Sequence, residues 1–346
     1  MRSEDWKVSG LGENGLVDRI LARIGRPEGA DVAGGDDAAV VSIGRDRVLM
    51  TTDELVEDVD FDLSYCSGAD VGFKAIAVNA SDIAAMCGTP RWATLSLALQ
   101  PETPVALVDA ILEGALEASS RWDIGVIGGD ISRARQMSLS VAMIGWSPFS
   151  PVLRSGASPG EALCVTGCLG GAAAGLRLLR HLDAGEERAE AHPSEQTGAG
   201  GAAASGLIRR QLRPLARVEE SAALAPLKPS SMIDLSDGFI PDLDRLMRAS
   251  HTGCTVDATV LPLDPGLDAV FGSQREAALE LAMLGGEDFE LLFTIEEGAA
   301  AAAVQAVQNN GTPCTKIGTV TAGGSVVGDR PLSGWEGMGW DHLRSR

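Results

Sequence analysis

Lysine and histidine are scarce in this chain, and each shortage excludes a chemistry. None of the four lysines (Lys7, Lys74, Lys228, Lys316) follows a glycine, so a GxxxxGK[ST] phosphate loop is absent. Protein-kinase signatures are missing as well. The four histidines (His181, His192, His251, His342) form no HExxH, which removes the usual support for a zinc hydrolase. Six cysteines, at 66, 87, 164, 168, 254 and 314, make no CxxC pair and read as small buried apolar residues. No apolar run approaches the ~18 residues that would span a bilayer. Positive charge is short too: 28 Lys+Arg face 48 Asp+Glu, a net charge of -20 with no basic cluster. Such an excess repels nucleic acid and anionic membrane surfaces, so neither is expected as a partner. A soluble, cytoplasmic protein is expected.

The 346 residues suggest two domains. Helical spacing of Leu16, Val17, Ile20, Leu21 and Ile24 predicts an amphipathic opening helix. Short strands are expected at 40–41 and 48–50, a small-residue helix over 70–86, and a mixture of strands and helices to about residue 150. The prolines of Ser147-Pro-Phe-Ser-Pro151 mark a crossing, giving domains 1–150 and 151–346 of an α/β (α+β) class. Residues 181–206 lack an apolar period and read as an exposed, flexible insertion. Gly167 to Gly175 is glycine-rich after a strand, yet it does not match GxGxxG; close helix–strand packing is the alternative to a dinucleotide site.

The positive signal lies in aspartates beside glycines or at strand ends. They are Gly34-Gly-Asp-Asp37, Thr51-Thr-Asp53, Gly128-Gly-Asp130 and Asp234-Leu-Ser-Asp-Gly238. Each alone also suits an ordinary turn. Asp82 differs, because it sits inside the apolar segment 75–86 with Asn79 on its helix face. Converging carboxylates at ~4 Å repel by roughly 4 kcal/mol per pair at an effective dielectric near 20. They must stand apart, be protonated or hold a metal. Oxygen ligands without His or Cys select Mg²⁺, Mn²⁺ or Ca²⁺. A calcium loop at Asp58-x-Asp60-x-Asp62 fails, because Leu63 and Ala69 replace the required Gly and Glu, so Mg²⁺ shared with phosphates is favoured. Arg154 beside a flexible turn can fork onto phosphate oxygens. Ser236 can offer its hydroxyl and amide to the same group, or simply cap a helix.

Taken in order, these segments resemble the thiamine-monophosphate kinases, of the ATP-binding superfamily that includes aminoimidazole ribonucleotide synthetase and selenophosphate synthetase. The resemblance rests on Gly35-Asp-Asp-Ala-Ala-Val40, Thr51-Thr-Asp-Glu-Leu-Val56, the segment from Lys74 to Met86, Gly128-Gly-Asp130, Arg154-Ser-Gly-Ala157, Val165-Thr-Gly167, Ile233-Asp-Leu-Ser-Asp-Gly238, Gly285-Gly-Glu-Asp-Phe-Glu290 and Gly339-Trp-Asp-His342. It implies a two-domain protomer dimerising through its N-terminal domain into a homodimer. It also implies direct transfer of ATP's terminal phosphoryl group to thiamine monophosphate, with several Mg²⁺ ions. By the same resemblance Asp37, Thr51, Thr52, Asp53, Asp82, Asp130, Asp234 and Asp237 match metal positions. Gly129, Asp130, Arg154 and Ser236 match nucleotide contacts, while Glu287 and Trp340 match substrate contacts. No residue is assigned as an acid or base.

Three segments depart from the family pattern. Asp58-Val-Asp-Phe61 stands where the family reads Gly-x-His-Phe, so Asp60 replaces a substrate-contacting histidine and bears on acceptor identity. Ile131-Ser132 replaces Thr-Thr, and Phe289 replaces a tyrosine. Alternative readings are another ATP-using synthetase of the superfamily, or a nucleotide-binding regulatory protein that has lost catalysis.

Overall fold

A computed structural model describes residues 7–44, 46–183, 199–271 and 274–335. The first half builds a six-stranded sheet from β1 (Ala30–Val32), β2 (Ala39–Ile43), β3 (Asp46–Val56), β4 (Thr89–Leu99), β5 (Gly125–Arg133) and β6 (Ser138–Trp146). Its order is β1-β2-β3-β6-β4-β5, antiparallel except for the β4–β5 pair. Three helices accompany it: α1 (Val8–Ile24), α2 (Gly68–Ala85) and α3 (Val105–Arg121). On β3, Leu49 and Leu55 are buried and Met50, Thr52 and Glu54 are exposed, the period of two expected of a sheet with one covered face.

Helix α2 is central. It starts at a capping box, in which the Ser67 hydroxyl accepts from the Asp70 amide and Asp70 accepts from the Ser67 backbone. Along it Ile76, Ile83 and, just past its end, Met86 are fully buried against Leu49, Leu139 and Met143 of the sheet. Each such side chain contributes ~1.5–3 kcal/mol on burial. Glycines bring α3 close on its other side: a Cβ at Gly72 would lie 1.8 Å from the Ile111 carbonyl oxygen, and one at Gly114 equally close, at 1.8 Å, to that of Ala69.

The second half carries a seven-stranded sheet of order β13-β12-β9-β11-β7-β10-β8. Its strands are β7 (Ala162–Thr166), β8 (Ser231–Asp234), β9 (Gly253–Val256), β10 (Leu291–Ile295), β11 (Cys314–Thr321), β12 (Val326–Val327) and β13 (Arg330–Pro331). Its helices are α4 (Gly171–Asp183), α5 (Ala199–Leu212), α6 (Val218–Leu224), α7 (Phe239–Ala249), α8 (Gly266–Phe271), α9 (Arg275–Leu284) and α10 (Ala300–Gln308). Strands β7 and β10 are buried throughout, as their unbroken apolar runs require. Edge strand β8 is buried too, because α2 covers it. That contact delivers the end of β8 to the polar end of α2.

The expected strands and helices are present, several of them longer than their apolar cores. The expected insertion at 181–206 differs in its described parts. Residues 181–183 complete α4, and 199–206 form the first half of α5. Alanines supply helix propensity there, while the apolar anchors, Leu207, Ile208 and Leu212, come only in the second half. Residues 184–198 lie outside the described part.

Gly72→Ala tests the helix crossing. It is expected to lower unfolding free energy by roughly 1–3 kcal/mol or more, whereas Gly10→Ala, with open space around it, stays near wild type in denaturant titration.

Candidate functional site

The turn before β2, helix α2 and strand β8 each bring a carboxylate to one point. Ligand oxygens of Asp37, Asp82 and Asp234 all lie within 4.8 Å of one another. Asp37 precedes β2, Asp82 lies on the last turn of α2, and Asp234 ends β8. Thr51, inward on β3, donates its hydroxyl to Asp82 Oδ2 at 2.5 Å and lies 3.3 Å from the Asp37 carbonyl. Ser81 donates to Asp234 Oδ2 at 2.5 Å. Asp53, two residues along β3 from Thr51, shares a hydrogen bond with the Asp82 carboxyl, and its amide donates to Asn79 Oδ1 at 3.1 Å.

This crowding shifts protonation. Burial, then the charges of Asp53, Asp234 and Asp37, pushes Asp82 well above the carboxylate range. Burial and the Asp37 charge do the same to Asp234. Burial lifts Asp53 to about 6, with Asp60, Asp237 and Asp37 adding to it against the Asp82 hydrogen bond. Arg154 answers part of this charge. Its Nη2 and Nε reach Asp37 Oδ1 at 2.6 and 3.2 Å, and its amide donates to Asp36 Oδ1 at 2.9 Å. The other Asp37 oxygen, Oδ2, is buried without a hydrogen-bond partner among the described residues.

That orphan oxygen, the hard-oxygen donor set and the raised acids fit a divalent cation such as Mg²⁺. A contrast inside the same protein sharpens the point. Glu290 is equally deep, yet it is forked by Arg217 at 2.6 and 2.5 Å and accepts from Thr166 at 2.8 Å. Burial raises its pKa, but the Arg217 charge and hydrogen bonds outweigh this and hold it below the ordinary value. Glu290 is compensated within the chain; the aspartate cluster is not.

Other residues read from the sequence fall into two groups. Asp237 lies near enough for its charge to raise Asp53, but its carboxylate pairs with Arg245 at 2.5 Å. Ser236, at the same turn, accepts from the Glu287 amide at 2.7 Å through its carbonyl. Glu287 itself pairs with Lys74 at 2.5 Å. Asp60 has turned its carboxylate to the Val56 amide, 2.8 Å away, while its carbonyl accepts from Lys74 at 3.0 Å.

Thr52 and Asp130 do not join the cluster. Thr52 is exposed on the other face of β3 from Thr51. The row Asp53, Val141, Leu95, Gly129 crosses the sheet, so Asp130, one step on and opposite Ser96, belongs to the other face. Asp130 is exposed and accepts from Ser132 at 3.4 Å. A Cβ at Gly129 would lie 1.8 Å from the Leu95 carbonyl oxygen, which accounts for glycine there. Trp340 lies outside the described residues. Asp36, Lys74, Gln211 and Arg245 were not picked out as site residues in the sequence. Two carried a usable signal: Asp36 stands beside Asp37 in the glycine-flanked pair, and Lys74 is a charge inside an apolar helix like Asp82.

Two family models match the chain: AIR synthase related protein, N-terminal domain, over residues 35–147, and AIR synthase related protein, C-terminal domain, over residues 158–329. The thiamine-monophosphate kinase of Escherichia coli (strain K12) is 36% identical over 339 residues, 96% of this chain and 98% of that protein. That of Aquifex aeolicus (strain VF5) is 34% identical over 337 residues, 97% of this chain and 100% of its own. Among solved structures, AaThiL complexed with AMPPCP and TMP has a TM-score of 0.83 at 32% identity, covering 98% of this chain and 100% of that one. With both family domains matched and identity of this level running almost end to end, the chain belongs to the thiamine-monophosphate kinase family, one of AIR synthase related proteins.

Proposed function

We propose that the protein is an ATP- and Mg²⁺-dependent kinase that converts thiamine monophosphate to thiamine diphosphate. The observation that carries this reading is the uncompensated cluster of Asp37, Asp82 and Asp234, with its orphan oxygen on Asp37, in a chain of this family. In the reaction an oxygen of the acceptor phosphate bonds to the γ-phosphorus of ATP. The bond from that phosphorus to the bridging oxygen breaks, and ADP leaves.

Asp37, Asp53, Asp82 and Asp234, with the Thr51 hydroxyl and Asp237, would hold the metal. Bound Mg²⁺ supplies charge neutralisation and alignment of the phosphates. Arg154 is the cation at the same point, placed to fork onto phosphate oxygens once its hold on Asp37 relaxes. Ser236 offers its hydroxyl at the turn into α7. The acceptor is already an anionic nucleophile, so positioning dominates and no general base is required. Glu287 and Trp340 are assigned to the thiamine moiety, an indole ring being suited to stacking on a cationic thiazolium.

Thr52, Gly129 and Asp130 enter this reading through a homodimer. The open face of the first sheet exposes Met50, Trp92 and Trp146, and strand β5, whose outer edge has no partner strand among the described residues, exposes Ile127 and Ile131. A second copy packed there covers this apolar surface and brings Asp130 to a phosphate site that its own sheet face does not reach. Residues 1–150 and 151–346 are taken as the two domains. ATP as donor supports a cytoplasmic location, and among the described residues no helix is long and apolar enough to cross a membrane.

Purified protein with Mg²⁺, ATP and thiamine monophosphate is expected to yield thiamine diphosphate and ADP in equal amounts by chromatography. Asp82→Asn and Asp130→Asn should each lower that rate by roughly 10²–10³-fold; near-wild-type turnover in Asp82→Asn would remove the metal argument. Asp60→His, restoring the family residue, should lower the KM for thiamine monophosphate, and an unchanged or higher KM would place Asp60 away from the acceptor.

A pH signature follows from the raised carboxylates. In the metal-free protein their folded pKa values exceed the unfolded ones, so the folded state binds more protons. Their contribution to stability is full below about 3.8 and is lost as pH rises through about 6 for Asp53. Mg²⁺ should therefore raise the thermal midpoint more at about pH 8 than at about pH 5.5, where protons compete for the same oxygens. An equal rise at both would show that Mg²⁺ binds elsewhere.

A further inference from the structure

Glu287 is held from three sides. Its backbone lies in the left-handed region, at φ 69°, a strained setting for a residue with a side chain. Its amide is tied to the Ser236 carbonyl at 2.7 Å, which fixes it to the turn assigned to the nucleotide. Its carboxylate is gripped by Lys74 from α2 through Oε1 at 2.5 Å, and by the Gln211 amide from α5 through Oε2. The Lys74 side chain is 4% exposed and Glu287's is 29%, so the pair joins a buried cation to an acid that remains open to a ligand.

A carboxylate can only accept, so the Gln211 amide must turn its nitrogen towards Glu287. Its carbonyl Oε1 then has no hydrogen-bond partner among the described residues, on a residue only 5% exposed. A buried acceptor without a donor is costly unless something supplies one. Gln211 lines a small cavity together with Asp60, Tyr65, Cys66 and Lys74, next to the residue assigned to the acceptor. Two acceptors, one charged and one neutral, therefore lie side by side and ask for N–H donors.

We propose that Gln211 is a specificity-determining residue for the acceptor substrate: its Oε1, beside the Glu287 carboxylate, receives an N–H of the exocyclic amine on the aminopyrimidine ring. Lys74 is the positioning residue, holding the Glu287 carboxylate in place through its ammonium. This rests on the reading of thiamine monophosphate as acceptor and of Glu287 as its contact. The phosphate end is held by the aspartate cluster and Arg154, so Gln211 reads the other end of the molecule.

The test compares thiamine monophosphate with its oxo analogue, in which a carbonyl replaces the exocyclic amine, by calorimetric binding and by KM. Wild type is expected to prefer the amine. Gln211→Leu should weaken thiamine monophosphate roughly three- to tenfold, leave the analogue and the KM for ATP nearly unchanged, and so erase the preference. Lys74→Met should raise the KM for thiamine monophosphate, with partial rescue in Lys74→Arg. Equal weakening of both ligands by Gln211→Leu, or no weakening of either, would overturn the proposal and leave Gln211 as a prop for Glu287. Wild type that binds Mg²⁺-ATP but no thiamine monophosphate would instead overturn the acceptor reading itself, before any substitution is made.

Discussion

Several acidic groups are forced into one small volume with one arginine to meet them. Asp37, Asp82 and Asp234 converge, Asp53 is hydrogen-bonded to Asp82, and among the described residues Arg154 is the cation paired with a member of the set. Left ionised and without metal, neighbouring pairs repel by roughly 4 kcal/mol each at ~4 Å, against a domain stability of ~5–15 kcal/mol. The surrounding structure must hold them against that repulsion until phosphate and cation arrive. Protonation relieves part of the load, which is why burial and mutual charge lift these groups together.

Helix α2 is the element that holds them. It is anchored in the first sheet by Ile76, Ile83 and Met86, pressed to α3 through Gly72 and Gly114, and laid against β8 of the second sheet. The same helix presents Lys74, Asn79, Ser81 and Asp82 to four different partners: Glu287, Asp53, Asp234 and Thr51. The site is therefore a property of the junction between the two halves. The backbone link from Glu287 to Ser236 extends that rigidity from the phosphate end to the acceptor end.

Position 60 shows how an acidic side chain is accommodated near the cluster. A carboxylate there would repel an incoming phosphate if it faced the site. Here it caps the Val56 amide, satisfying a backbone donor at the turn before Phe61, though its charge still raises Asp53. The Asp60 backbone carbonyl, independent of side-chain identity, keeps the bond to Lys74.

Local chemistry was legible in the residues alone. Aspartates beside glycines at strand ends, one aspartate inside an apolar helix, and the lack of His and Cys clusters pointed to a hard cation shared with phosphate, and their order along the chain pointed to the family. Strands and helices with strong apolar periods were legible for the same reason, because burial of one face writes itself into the spacing. What sequence could not decide was which of these groups meet. Asp53 and Asp130 look alike on paper, yet sheet register puts them on opposite faces. Strands β9 and β11 carry no unbroken apolar run, each holding glycine and threonine, so residue type alone does not mark them. Glu287 meets Lys74, more than 200 positions earlier, and Gln211, 76 positions earlier, so only the packing of α2, α5 and the 285–290 loop could create the contact. Residue type and local spacing determine what chemistry is available; long-range packing, which carries no local signature, decides where it is assembled.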